Sequence, residues 1–181
     1  MVVLSVLLLL EFLFRLFVEI REKKLYGKFV PLALFRVIPV LNNFIPFPFG
    51  LSKEVLNKDS VFISAHEEAH KKKFHAFFRN FIKCLFFSLM VLMILTQLYK
   101  TSLFEIILYS HFALLFFRLF YHRICFSEEL EADAFARTKT GLSVAKKSLY
   151  HLKIKEQKTS FLFAFLYAEH PPADYRYSKI K

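Results

Sequence analysis

At 181 residues the chain has room for one domain, and 56% of it is apolar, with 25 phenylalanines against three glycines. A soluble domain of this size cannot bury that much apolar surface, so a membrane protein is expected; a disordered chain, a collagen-like chain and a Gly-rich phosphate-binding fold are not expected. The formal net charge of +11 suits a bilayer with anionic headgroups as partner, and with no stacking-plus-basic module present, nucleic acid is not expected. Cys84 and Cys125 stand in no metal-binding spacing and make no disulfide framework.

Residues 2–10 are uncharged and apolar apart from Ser5, and apolar character continues to Ile20 with Glu11, Arg15 and Glu19 interposed. These three recur every fourth residue, so on a helix they share one face, where opposite charges pair. The segment has neither a basic start nor a small-residue cleavage site, and so reads as an N-terminal membrane helix over 1–20 rather than a removable signal peptide. Arg21, Lys23, Lys24 and Lys28 follow; positive flanks stay cytoplasmic, which puts the N-terminus outside and residue 21 onward inside. Residues 29–50 are apolar but broken by Pro31, Pro39, Pro46 and Pro48, a pattern of extended or interfacial structure.

Residues 84–99 carry no charge, nor do 106–117, a run that reaches Tyr121 if Arg118 snorkels. Each stretch covers roughly 24 Å as a helix, and snorkelling Lys83 and Arg118 extend it toward a ~30 Å bilayer core. Only 100–105 separates them, so a transmembrane helical hairpin at about 81–121 is expected. Lys71, Lys72, Lys73, Arg79, Lys83, Arg118 and Arg123 crowd its open end, which is therefore cytoplasmic. Two buried helices of a soluble bundle are the competing reading. The remaining chain is helical in pattern to Tyr150, with a further apolar run at 161–168, so 21–181 reads as a single domain containing the hairpin.

The segment His66-Glu67-Glu68-Ala69-His70 is an HExxH motif. On a helix His66 and His70 share a face and can hold one zinc ion through their imidazoles, while Glu67 serves as general base to the attacking water. Such a site wants a third protein ligand, and the ExxAD run of Glu129 to Asp133 offers carboxylates from another helix. If the two arms form continuous antiparallel helices, positions whose numbers add to the same total lie level. His70 with Glu129 and His66 with Asp133 share one total, and the implied turn centres between Tyr99 and Lys100, inside the polar break. The hairpin thus brings the three ligands together at its cytoplasmic mouth. Finally, Pro171 and Pro172 fix a loop that holds His170, a hydrogen-bond donor suited to the tetrahedral oxyanion, and Arg176 suits Asp133 as an ion-pair partner.

The ordered set of HEEAH, a membrane hairpin, ELEAD and HPPADYR resembles the membrane zinc metalloproteases of the HtpX and CAAX-prenyl-protease family, in reduced form, over 47–176. The resemblance implies a mainly α, integral membrane endopeptidase of gluzincin type with its active site facing the cytoplasm. It implies zinc ligands at His66, His70 and Glu129, the catalytic acid/base at Glu67, an acid beside the site at Asp133, and a supporting C-terminal motif at His170 and Arg176. The nearest stretch to the Gly-containing strand that often presents substrate in such proteases is 46–51. The Phe-Pro-Phe-Gly run is also similar to that of antibiotic-sensing metalloprotease transducers, whose second motif usually differs.

The expected function is a zinc endopeptidase, one zinc per chain, in the cytoplasmic membrane of a prokaryote. Its substrates are membrane or misfolded proteins, cut near the cytoplasmic face. The alternatives are a transducer cutting one dedicated regulator, or a non-enzymatic basic membrane protein with accidental motifs. Of the other histidines, His75 lies five beyond His70 and reads as interfacial, off the ligand face. His111, mid-helix in the second arm, reads as neutral imidazole bonded to a neighbour; His122 and His151 offer no pattern.

Overall fold

The computed structural model describes residues 2–27, 36–44, 60–156 and 158–180, with backbone alone at 42–44. It is mainly helical, and no strand occurs among the described residues. In chain order the helices are α1 (Val2–Tyr26), α2 (Pro39–Phe44), α3 (Val61–Lys72), α4 (His75–Gln97), α5 (Leu103–Thr140), α6 (Leu142–Lys155), α7 (Phe161–Tyr167) and α8 (Ala173–Lys179). Part of the proline-broken segment is thus helical at α2. Residues 36–38 are described beside it, while 29–35 and 45–50, with the 46–51 stretch, lie outside the described residues. The chain divides into two compact units: α1, α2 and the 82–119 stretch of α4 and α5 make one, and α3, the start of α4, the end of α5 and α6 to α8 make the other.

In the first unit, α4 and α5 are both long and apolar enough to cross a membrane. Only 6% of the most apolar window of α4 is buried, and Phe87, Leu92 and Leu95 are exposed. A core helix of a soluble bundle hides such side chains; this one displays them. The polar break between Gln97 and Leu103 forms the turn, and Ser102 with Glu105 caps α5 reciprocally. The Ser102 N–H donates to Glu105 Oε2 at 3.1 Å, and the Glu105 N–H donates to Ser102 Oγ at 3.3 Å. Phe86 and Phe117 stack across the arms at 3.9 Å between ring centroids.

The charged stripe of α1 faces protein. Arg15 is buried and donates to Glu11 Oε1 at 2.7 Å, Arg36 meets Glu19 at 2.8 Å, and His111 Nε2 of α5 lies 2.7 Å from Glu11 Oε2. The mid-helix histidine is fully buried and bonded to a neighbour, as its sequence context suggested. The three charges of the stripe are accommodated because each has a partner: Glu11 and Arg15 pair with one another, Glu11 also meets His111 of α5, and Glu19 meets Arg36.

The second unit is built on alanine. Ala65 and Ala69 of α3, Ala132 and Ala136 of α5 and Ala145 of α6 are all fully or almost fully buried. Small side chains let helix axes approach closely. Phe62, Ala65, Ala136, Ala145, Leu149 and Ile180 form one core cluster, in which α3 packs on α6 and α6 on α8. Phe62, Ala65, His66 and Ala69 are the buried face of α3, at the spacing of an amphipathic helix. Gly141, at φ +91°, separates α5 from α6, and its N–H closes α5 on the Arg137 carbonyl at 2.8 Å. His122 of α5 donates through Nδ1 to the Phe165 carbonyl of α7 at 2.6 Å, a role its sequence context did not signal.

One premise of the register argument is corrected. α3 and α4 are not a continuous helix: the chain breaks at Lys73 and Phe74, and Phe74 takes φ +54°. A left-handed non-glycine residue is strained by about 1–2 kcal/mol. Because Phe74 is exposed, little burial is lost on replacing it. Phe74→Gly is expected to melt higher than Phe74→Ala, by a stability difference of about 1 kcal/mol. Equal melting temperatures would contradict the positive φ.

Candidate metal centre

Two helices supply the three donors, α3 and the part of α5 that belongs to the second unit. His66 and His70 stand one turn apart on α3, with Nε2 atoms 3.1 Å apart. Glu129 comes from α5, its Oε2 3.3 Å from His66 Nε2 and its Oε1 3.4 Å from His70 Nε2. The pairs set level by the register reading meet: His70 with Glu129, and His66 Nδ1 with Asp133 Oδ1 at 3.0 Å. Ala65 of α3 and Ala136 of α5 share one core cluster, and Ala69 and Ala132 are fully buried. In α4, beyond the break, level pairs shift along the helix, so that Phe86 lies opposite Phe117 and Arg79 reaches Glu128.

Among the described residues, His66, His70 and Glu129 form the one group of three donors close enough to share a metal ion. Four ligands at the usual 2.0–2.1 Å from zinc are about 3.3 Å apart along the edges of their tetrahedron. The three distances here, 3.1, 3.3 and 3.4 Å, are of that size. Two imidazoles and one carboxylate are also a donor set that zinc accepts with a fourth position left open. The residues present therefore fit the ion.

The surroundings hold each donor in place. Asp133 is buried and takes two hydrogen bonds from Arg176 of α8, at 2.8 and 2.7 Å, as well as the one from His66. This is the ion pair expected from the C-terminal motif. His170 Nδ1 sits 3.0 Å from Glu129 Oε1 with its ring largely exposed, so in this arrangement it steadies the carboxylate. Arg79 bonds Glu128 and reaches Glu129 at 3.4 Å. Glu67 is exposed on the neighbouring face of α3, with no hydrogen bond or ion pair to its side chain among the described residues.

At two of the three donors, Glu129 and His70, the electrostatics favour the protonation state that a metal needs. Burial alone would raise the Glu129 carboxyl, but hydrogen bonds from His170 and His66 outweigh it and hold the group far below the usual carboxylate range. Burial pushes His70 down to about 4; the Glu129 charge opposes this, and the neighbouring His66, His75 and Arg79 add to it, so the ring is neutral at physiological pH with a lone pair to offer. His66 goes the other way: burial lowers it, but bonds to Asp133 and Glu129 prevail and raise it.

Sequence reasoning missed His75, Arg79 and Glu128. His75 is buried, with Nδ1 2.8 Å from His70 Nδ1; the interfacial reading assumed an unbroken helix, on which position i+5 points elsewhere. No glycine or proline marks the break at Phe74.

No family model matches the chain, and searches of the curated proteins and of the solved structures return no match.

Proposed function

We propose that this chain is an integral membrane zinc endopeptidase, similar in its motifs to the HtpX and CAAX-prenyl-protease family. The observation that carries the reading is the convergence of His66, His70 and Glu129 at the edge lengths of a zinc tetrahedron, with Glu67 next in sequence to His66. A bound zinc ion supplies Lewis acidity to the scissile carbonyl and acidity to a water molecule. Glu67 accepts the proton of the attacking water and passes it to the leaving amine. His66 is held by Asp133, which Arg176 fixes in turn, so the ligand ring does not reorient as charge develops. His170 is close enough to turn from Glu129 toward a substrate oxyanion. The exposed apolar faces of α4 and α5 support a bilayer location, and the positive flanks support an active site facing the cytoplasm. Membrane or misfolded proteins are the proposed substrates, in the cytoplasmic membrane of a prokaryote.

The test is purified protein in detergent with an unfolded protein as substrate. One zinc per chain by elemental analysis is expected, with cleavage that stops on chelation and returns with added zinc. Protein holding no zinc under any condition would defeat the reading.

A further inference from the structure

His75 is the one buried histidine near the centre to which the proposed reaction gives no task. Its surroundings are specific. Its ring meets that of His70 edge to face, with centroids 4.9 Å apart and planes at 77°. Its Nδ1 lies 2.8 Å from His70 Nδ1, and its Nε2 lies 3.4 Å from Glu131 Oε2, whose other oxygen takes a hydrogen bond from Lys73. The break at Lys73 and Phe74 is what turns His75 inward to make these contacts.

Proton bookkeeping fixes the rest. An imidazole binding metal through Nε2 carries its hydrogen on Nδ1. His70 then donates from Nδ1, and His75 Nδ1 must be the acceptor. The hydrogen of His75 is therefore on Nε2, the atom facing the Glu131 carboxylate. All donors and acceptors match along this line in one direction only.

We infer that His75 is the positioning residue for His70, an imidazole relay that sets the tautomer and ring orientation of one metal ligand and ends on Glu131 at the surface. The inference rests on the zinc reading above. It gives the two histidine ligands unlike supports: His66 leans on the buried Asp133–Arg176 ion pair, and His70 on a neutral ring whose far end meets a half-exposed carboxylate. Partners of this kind typically contribute 10–100-fold to metal affinity.

The test measures zinc affinity by competition with a chromophoric chelator, on full-length protein in detergent. His75→Phe removes the acceptor while keeping a ring; His75→Asn places an amide oxygen where Nδ1 stood. Zinc binding is expected to weaken 10–100-fold in His75→Phe and to recover to within about 3-fold of the native value in His75→Asn. A purely packing role predicts the reverse order, with the ring-retaining variant closer to native. Equal affinity in all three proteins, or that reverse order, overturns the inference and leaves the zinc reading standing. Absence of zinc from the native protein overturns both. Should His75→Phe fail to fold, Glu131→Gln serves instead: zinc affinity falling only modestly, less than tenfold, is the expected result, and an unchanged affinity counts against the relay.

Discussion

Glu67→Gln is expected to abolish measurable proteolysis while leaving the zinc content at one per chain. The side chain is exposed and unpartnered among the described residues, so its replacement by an isosteric amide disturbs neither packing nor the three donors. In the proposed reaction it removes the proton acceptor, and loss of a positioned general base costs typically 10²–10⁴-fold in rate. Parallel assays of turnover and of metal content decide the matter. Residual cleavage within tenfold of native would assign the proton transfer to another group. Loss of zinc together with activity would instead make Glu67 part of the metal's support.

The largest stability effect is expected from Arg176→Met. Asp133 is fully buried and receives two hydrogen bonds from the guanidinium, both shorter than 3 Å. Removing one member of a buried ion pair costs about 3–5 kcal/mol, because the other charge stays buried without compensation. For a chain of this length that corresponds to a fall in melting temperature of roughly 10 °C. The pH dependence in the metal-free protein follows from the sign of the shift. Burial raises the Asp133 carboxyl, and the bonds from Arg176 and His66 outweigh it and set it below its ordinary value. Its contribution is present at neutral pH and is lost as the pH falls through the ordinary carboxylate range and then through the lowered value. Without Arg176 the burial effect is less opposed, and protonation of Asp133 relieves the variant. The gap between the native protein and the variant is therefore expected to narrow as the pH is lowered from 7 toward 4, in thermal melts followed by circular dichroism.

The centre was legible in the sequence to the extent that it depends on helical period and on motif. His66, His70 and Glu129 follow from HExxH and ExxAD, and their meeting follows from counting along two antiparallel helices. The pairing of Arg176 with Asp133 needed only opposite charge and a proline-fixed loop. What escaped was everything downstream of one residue's backbone. Phe74 takes a left-handed conformation that its residue type disfavours, so neither propensity nor pattern announces it. With that turn in place, α4 pairs with α5 in a different register, and His75 and Arg79 swing toward the centre. In α1 the four-residue charge spacing disclosed the Glu11–Arg15 pair, but its partner His111 lies 100 positions away and has no local signal.

That distance has a consequence for how the chain is made. At 5–20 residues per second, Glu11 is synthesised about 5–20 s before His111. During that interval the carboxylate has a single companion, the guanidinium one turn further along the same helix. A nascent α1 can therefore wait as an internally neutralised hairpin-seeker, its charge stripe shielded but still polar, until the second arm arrives with an imidazole. The Glu11–His111 bond therefore forms only once the second arm has been made.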